Sequence, residues 1–255
     1  MESSHRQATS VPVQASEARN ISAGERTAGR HAPGSLRCMR FHPDNELAAG
    51  LVSLGAVAAG AFAILAVKTS RRETSYLDGR ARAKVPKRKR KRAKAAAEEI
   101  GRVGKGWMTT PLGLVFAGYM ARRGSGSAAI AIASASVLSY ALSVSFDHVL
   151  PHRAPPPGRK SPTTPSFPSG HTMHLTTLAS TVAYIATREG AVDWRLAAAP
   201  GLLAGPLAGV DRLYLDRHWL TDVAAGWLAG ISLAAFSAAG YELSRDHRGA
   251  TPLAV

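Results

Sequence analysis

Residues Leu47–Val67 form a run of 21 with no charged side chain and a single hydroxyl, Ser53. A helix rises 1.5 Å per residue, so about 20 apolar residues cross the hydrocarbon core of a bilayer. No water is present there to bond backbone amides, and a helix satisfies them internally. The run therefore predicts a membrane-spanning helix and commits the rest of the chain to a membrane setting. A soluble helical bundle would need polar helix faces; this run carries no charged face, and neither does the stretch Gly124–Phe146. The mean hydropathy of −0.05 conceals this, because apolar and basic residues are segregated along the chain.

The segregation divides the chain. Residues 1–46 are rich in Ser, Arg, Ala, Gly and Glu without apolar periodicity, and are expected to form a disordered tail. The first span is 47–67, and a basic linker follows over 68–106. A transmembrane core is expected over 107–241, and a second tail over 242–255. Within the core, spans are expected at Trp107–Ala121, Gly124–Phe146, His171–Thr187, Leu196–Val210 and Val223–Tyr241, six in all with the first. Their Gly, Ala and Ser content suits close helix packing in lipid, where small residues let backbones approach. The expected fold is an all-α, polytopic membrane bundle of about six helices with its site at the membrane interface. The first apolar run starts too deep in the chain for an ordinary signal peptide, and the lone Cys38 excludes an intrachain disulfide.

The net charge of +15 raises the question of nucleic acid. Much of it lies in one run, Lys84 to Lys94, beside apolar spans. There it reads as a solvated basic loop or as an anchor on anionic headgroups, and nucleic acid is not expected. The linker's second half, Ala93–Arg102, has helix-forming composition and is expected to lie on the membrane surface.

Two polar clusters sit at the ends of spans, where ionisable groups are costly and usually have a task. The first is Ser166-Phe167-Pro168-Ser169-Gly170-His171, just before a helix. Ser169 is a natural N-cap, Gly170 lets a ligand approach the backbone, and the free N–H groups of a helix start attract an anion. Read blandly, this is a capped helix with an interfacial histidine. The second runs from Asp211 to Asp222 and contains Arg212 and His218. His218 and Asp222 are four residues apart, so on a helix they share a face. A carboxylate accepting the Nδ1 proton would fix the tautomer, free Nε2 and stabilise positive charge on the ring. Arg212 suits two-pronged binding of a phosphate. The bland alternative is a structural ion-pair network. Together, the two clusters make a complete set for phosphoryl transfer. If the five spans from 47 to 210 all cross, both clusters lie on one side of the membrane. No Asp/Glu/His grouping has metal-ligand spacing, so neither metal nor cofactor is expected.

These residues resemble the type 2 phosphatidic acid phosphatase family, which shares its core with the vanadium haloperoxidases. The family's Pro-Ser-Gly-His motif is matched at Pro168, Ser169, Gly170 and His171. Its Ser-Arg-x5-His-x3-Asp motif is matched at Arg212, His218 and Asp222, with Asp211 in place of Ser. The resemblance covers roughly residues 105–241. The family's first motif, Lys-x6-Arg-Pro, is degraded here: Asp147 stands at the Lys position and Ala154 at the Arg position. Arg153 is one residue away, with Arg159 and Lys160 as alternatives.

The resemblance implies a metal-independent hydrolase acting on a lipid phosphate monoester or a polyprenyl diphosphate. His218 would attack phosphorus, Asp222 would orient it, and His171 would protonate the leaving oxygen. Arg212, Ser169, the Gly170 amide and Arg153 would hold the phosphate. It also implies a multi-pass protein of a bacterial plasma membrane. The degraded motif and the basic linker leave a second reading open, a lapsed relative that only binds an anionic lipid or a partner protein. A vanadium haloperoxidase fits poorly, since those relatives are typically soluble and larger. On topology the signals conflict. With six crossing spans the site side carries 20 Lys/Arg against 12 on the other, which the positive-inside rule assigns to the cytoplasm. The family resemblance implies an extracytoplasmic site.

Overall fold

The computed structural model describes residues 43–86, 90–157 and 165–249. The tail up to residue 42, positions 87–89 of the basic run, and the alternatives Arg159 and Lys160 lie outside the described residues. The described residues fall in one unit, Phe41–Val255, and contain eight helices and no strand. These are α1 (Pro43–Ser70), α2 (Ser75–Ala83), α3 (Lys91–Val103), α4 (Gly106–Arg122), α5 (Gly126–Val149), α6 (Gly170–Arg188), α7 (Trp194–Tyr214) and α8 (Leu220–Gly249). Each expected span falls in one of the longer helices. Three of them, in α1, α5 and α8, are long and apolar enough to cross a bilayer, which makes the chain an integral membrane protein.

Three boundaries differ from the sequence reading. Helix α1 starts inside the expected tail. Helix α8 continues through Gly249, so the expected C-terminal tail begins as helix, with Glu242 fully buried. The linker contains two helices: α3, which covers the helix expected at Ala93–Arg102, and α2, which the sequence reading did not anticipate. Nor does α3 simply lie on lipid: Ala97 and Gly101 are buried, and the helix packs on α7.

Helix α6 is central and touches α4, α5, α7 and α8. Its hydroxyl face, Thr172, Thr176, Thr177 and Thr181, is fully buried. It can be so because glycines face it. A Cβ on Gly205 would stand 1.7 Å from Thr176 Oγ1, and one on Gly230 would stand 2.6 Å from Thr176 Cβ. Gly201, Gly205 and Gly209 recur every fourth residue on α7, as do Gly226 and Gly230 on α8, the spacing that brings helix backbones together in lipid. Outside this bundle, α1 lies on α8, where Ser232 Oγ donates to the Gly55 carbonyl at 2.9 Å.

At the end of α6 away from the histidines, polar groups are clamped. Arg188 donates from Nε and Nη2 to the Glu242 carboxylate at 2.7 and 2.9 Å, and the Tyr184 hydroxyl donates to the same carboxylate at 2.7 Å. The Tyr241 hydroxyl donates to Glu189 at 2.5 Å and Ser125 adds a second bond, which together hold the Glu189 carboxyl below its ordinary range.

Candidate active site

Both polar clusters meet at one end of the bundle. Helix α6 begins at Gly170, with Ser169 in the N-cap position. The Ser169 side chain does not cap the helix as the sequence suggested. Its hydroxyl accepts from Thr172 Oγ1 at 3.1 Å, and its amide donates to the Asp222 carbonyl at 2.9 Å. The turn before α6 is thereby tied to the first turn of α8. Pressure from α8 fixes the same turn, since a Cβ on Gly226 would lie 2.3 Å from the Ser169 carbonyl oxygen.

His171 projects from the first turn of α6 and His218 from the turn before α8. Their ring centroids are 6.4 Å apart. His218 Nδ1 is 2.7 Å from the Ser166 carbonyl oxygen. A carbonyl only accepts, so Nδ1 carries a proton, and in the neutral ring Nε2 presents the lone pair. Asp222 therefore does not take that proton as the sequence suggested; its Oδ2 is 3.8 Å from Nδ1. The reason is local. Helix α8 begins at Leu220, so His218 precedes the helix and the shared-face argument does not apply to it. Asp222, third in the helix, instead accepts the Trp219 amide at 2.7 Å, the reach-back half of a capping box.

The two arginines are engaged by carboxylates. Arg212, 1% exposed, donates from Nε and Nη2 to both oxygens of Asp211 at 2.9 and 2.7 Å. Nη2 also bonds the Ala97 carbonyl at 3.1 Å, while Nη1 lies 3.5 Å from His171 Nε2. Helix α3 closes over this group; a Cβ on Gly101 would lie 1.4 Å from Arg212 Nη2. The His171 ring is hydrogen-bonded to the Gly101 backbone.

Arg153 reaches Asp222 Oδ1 through Nη1 and Asp78 Oδ2 through Nη2, both at 2.5 Å, and Thr221 Oγ1 at 2.8 Å. It also stacks over the Trp219 ring, 5.4 Å from its centroid. Arg153 thus lies beside the second cluster, but its guanidinium is directed at two carboxylates. Ala154 uses its carbonyl to accept Trp219 Nε1 at 2.9 Å, and Asp147 lies close enough to His218 for their charges to interact.

Sequence reading missed Asp78, the Ser166 carbonyl and the wall supplied by Ala97 and Gly101. Asp78 carried one signal, as the only acid between Glu73 and Glu98 in a strongly basic stretch. Among the described residues, no three His, Cys, Asp or Glu side chains are grouped as a metal site. Beside His218 is a cavity of about 20 Å³, lined in part by Asp78, Arg82 and Trp219. A polar cavity of about 410 Å³ opens on the other side of Arg153, between the end of α1 and the loop after α5.

Two histidines at this separation, one beside a helix start and the other with a fixed tautomer, coincide with a sequence match. Residues 125–245 match the family model described as the PAP2 superfamily. This stretch resembles the PAP2 superfamily. It runs from the turn before α5 into α8 and contains both histidines, Arg153, Arg212 and Asp222. It excludes α1–α4, and so Asp78, Ala97 and Gly101. The fold is similar to the crystal structure of a transmembrane PAP2-type phosphatidylglycerolphosphate phosphatase from Bacillus subtilis. The TM-score is 0.61 at 19% identity, over 78% of this chain and 98% of that one. No curated protein matches the sequence.

Proposed function

We propose that the chain is a multi-pass phosphatase of a bacterial plasma membrane, hydrolysing a lipid phosphate monoester or polyprenyl diphosphate through a phosphohistidine. The observation that carries this reading is the 2.7 Å bond from His218 Nδ1 to the Ser166 carbonyl. It leaves Nε2 unprotonated and ready to attack. Nε2 forms a bond to phosphorus as the bond to the leaving oxygen breaks, and His171 delivers a proton to that oxygen. Water then attacks the phosphohistidine, His171 takes its proton, and phosphate leaves with Nε2 restored. The amides of Gly170 and His171 at the start of α6, with Ser169 and Arg212, supply positive potential for the phosphate oxygens. No metal takes part in this scheme.

The test is phosphate release by purified protein from phosphatidylglycerophosphate, phosphatidic acid and a polyprenyl diphosphate. An acid-labile label on His218 after quenching would identify the intermediate. Absence of turnover on all three would discard the reading.

A specific observation favours a second reading, a relative that binds anions without hydrolysing them. Two guanidinium groups at the site face three carboxylates, those of Asp78, Asp211 and Asp222. A phosphate dianion entering here meets little uncompensated positive charge. If wild-type protein is inactive, but Asp147→Lys with Ala154→Arg creates turnover, this second reading holds.

A further inference from the structure

Asp78 belongs to α2, outside the PAP2-like stretch, yet it is among the most enclosed charges near the site, at 2% exposure. Its carboxylate accepts hydrogen bonds at both oxygens. Oδ1 accepts the Thr221 amide at 3.0 Å. Oδ2 accepts Thr221 Oγ1 at 2.8 Å, Arg153 Nη2 at 2.5 Å and Thr74 Oγ1 at 3.3 Å. The Thr221 amide is one of the open N–H groups in the first turn of α8, where a negative charge is favoured. Two acids therefore serve that helix start, Asp222 from within the helix and Asp78 from across the linker, and Arg153 joins them.

This arrangement does more than hold the linker down. Asp222 and His218 flank Thr221 and Trp219, so an anchor on Thr221 sets the turn that aims the imidazole. Asp78 also lines the same cavity of about 20 Å³ as His218. Resting on the phosphatase reading above, we infer that Asp78 is a positioning residue for His218. It fixes the first turn of α8 and shares Arg153 with Asp222. The PAP2-like stretch thereby takes one member of its site from the preceding linker.

The other charged or titratable groups around His218 are Asp222 on α8, Arg82 on α2, Asp147 on α5, Arg153 in the loop after α5, His171 on α6, and Asp216 and Arg217 in the turn before α8.

The experiment compares full-length wild type, Asp78→Asn and Thr221→Val in lipid nanodiscs. One readout is the kinetics of phosphate release; the other is the NMR spectrum of the ¹⁵N-labelled histidine rings, assigned with His218→Gln. The expected result for Asp78→Asn is a fall in kcat of about 30-fold or more, with KM within about 3-fold, because binding groups remain. The ¹⁵N resonances of the His218 ring move as well, because the imidazole loses its place against the Ser166 carbonyl. Thr221→Val, which keeps Asp78 but loses the hydroxyl tie, lowers kcat by about 3–10-fold and moves the same resonances less. A kcat within 3-fold of wild type together with unmoved His218 resonances in Asp78→Asn would overturn the inference. If Asp78→Asn does not fold, unchanged kcat in Thr221→Val overturns it. If wild type hydrolyses nothing, the phosphatase reading fails by itself, and the NMR spectrum still decides for or against Asp78.

Discussion

Asp211 and Arg212, adjacent in sequence, face each other through two hydrogen bonds of 2.9 and 2.7 Å in a region closed to solvent. The neighbour that departs from the family motif is the one that occupies the motif's arginine. In a poorly screened setting this pair is strong, and any phosphate drawn to Arg212 must compete with a carboxylate already in place.

Asp211→Ser should therefore have two opposite effects. Without ligand it leaves Arg212 buried and unpaired, which costs about 3–5 kcal/mol. With vanadate or phosphate bound, the anion replaces the lost carboxylate. Thermal unfolding in detergent should show a lower Tm for the variant, and a larger vanadate-induced rise in Tm than in wild type. Equal vanadate responses would mean that Arg212 does not face the anion.

Arg153→Ala tests a different balance. Asp78 and Asp222 both approach that guanidinium at 2.5 Å. Its removal leaves two buried carboxylates without their shared cation, so a stability loss of about 3–5 kcal/mol is expected, with loss of turnover as a consequence. The double variant Arg153→Ala/Asp78→Asn should recover part of that stability. A loss of kcat/KM in Arg153→Ala with unchanged Tm would instead identify a phosphate ligand, the role the sequence suggested.

His218→Ala should reduce turnover to background while the protein still inserts and folds. Asp222→Asn should impair it strongly but less completely, since the Ser166 carbonyl and not Asp222 holds the Nδ1 proton. Turnover should persist in excess chelator and be blocked by vanadate. Near wild-type activity of His218→Ala would sink the phosphohistidine scheme.

Gly226→Ala probes packing behind the site. Its new methyl would lie 2.3 Å from the Ser169 carbonyl, which is backbone and has little room to yield. A destabilisation of about 1–3 kcal/mol is expected, together with reduced kcat as the turn before α6 shifts. Gly240→Ala on the same helix is the control, because nothing lies within 4 Å of its added Cβ.

What the sequence made legible follows from how far each signal reaches along the chain. Spans are local: a run such as Leu47–Val67 announces its helix by length and hydropathy alone. His171 and His218 were visible because each sits in a short motif. The hydrogen bond of His218 was less visible, because its partner is a backbone carbonyl 52 residues away and any residue type supplies one. Asp78 meets Arg153 across 75 residues and Thr221 across 143, with no periodicity linking them. The linker's composition spoke for solvent or headgroups, and nothing local sets Asp78, Ala97 and Gly101, which turn inward, apart from its exposed small and acidic residues.

The contact between Gly101 and Arg212 bears on where such a protein can be cut. A fragment beginning at residue 125 would keep every motif residue by which the family is known. It would also uncover the Arg212 guanidinium where α3 now covers it and strip Arg153 of one of its two anions. The smallest piece that retains the site as described starts upstream of Asp78, so the boundary drawn by sequence similarity and the boundary of the working unit fall in different places.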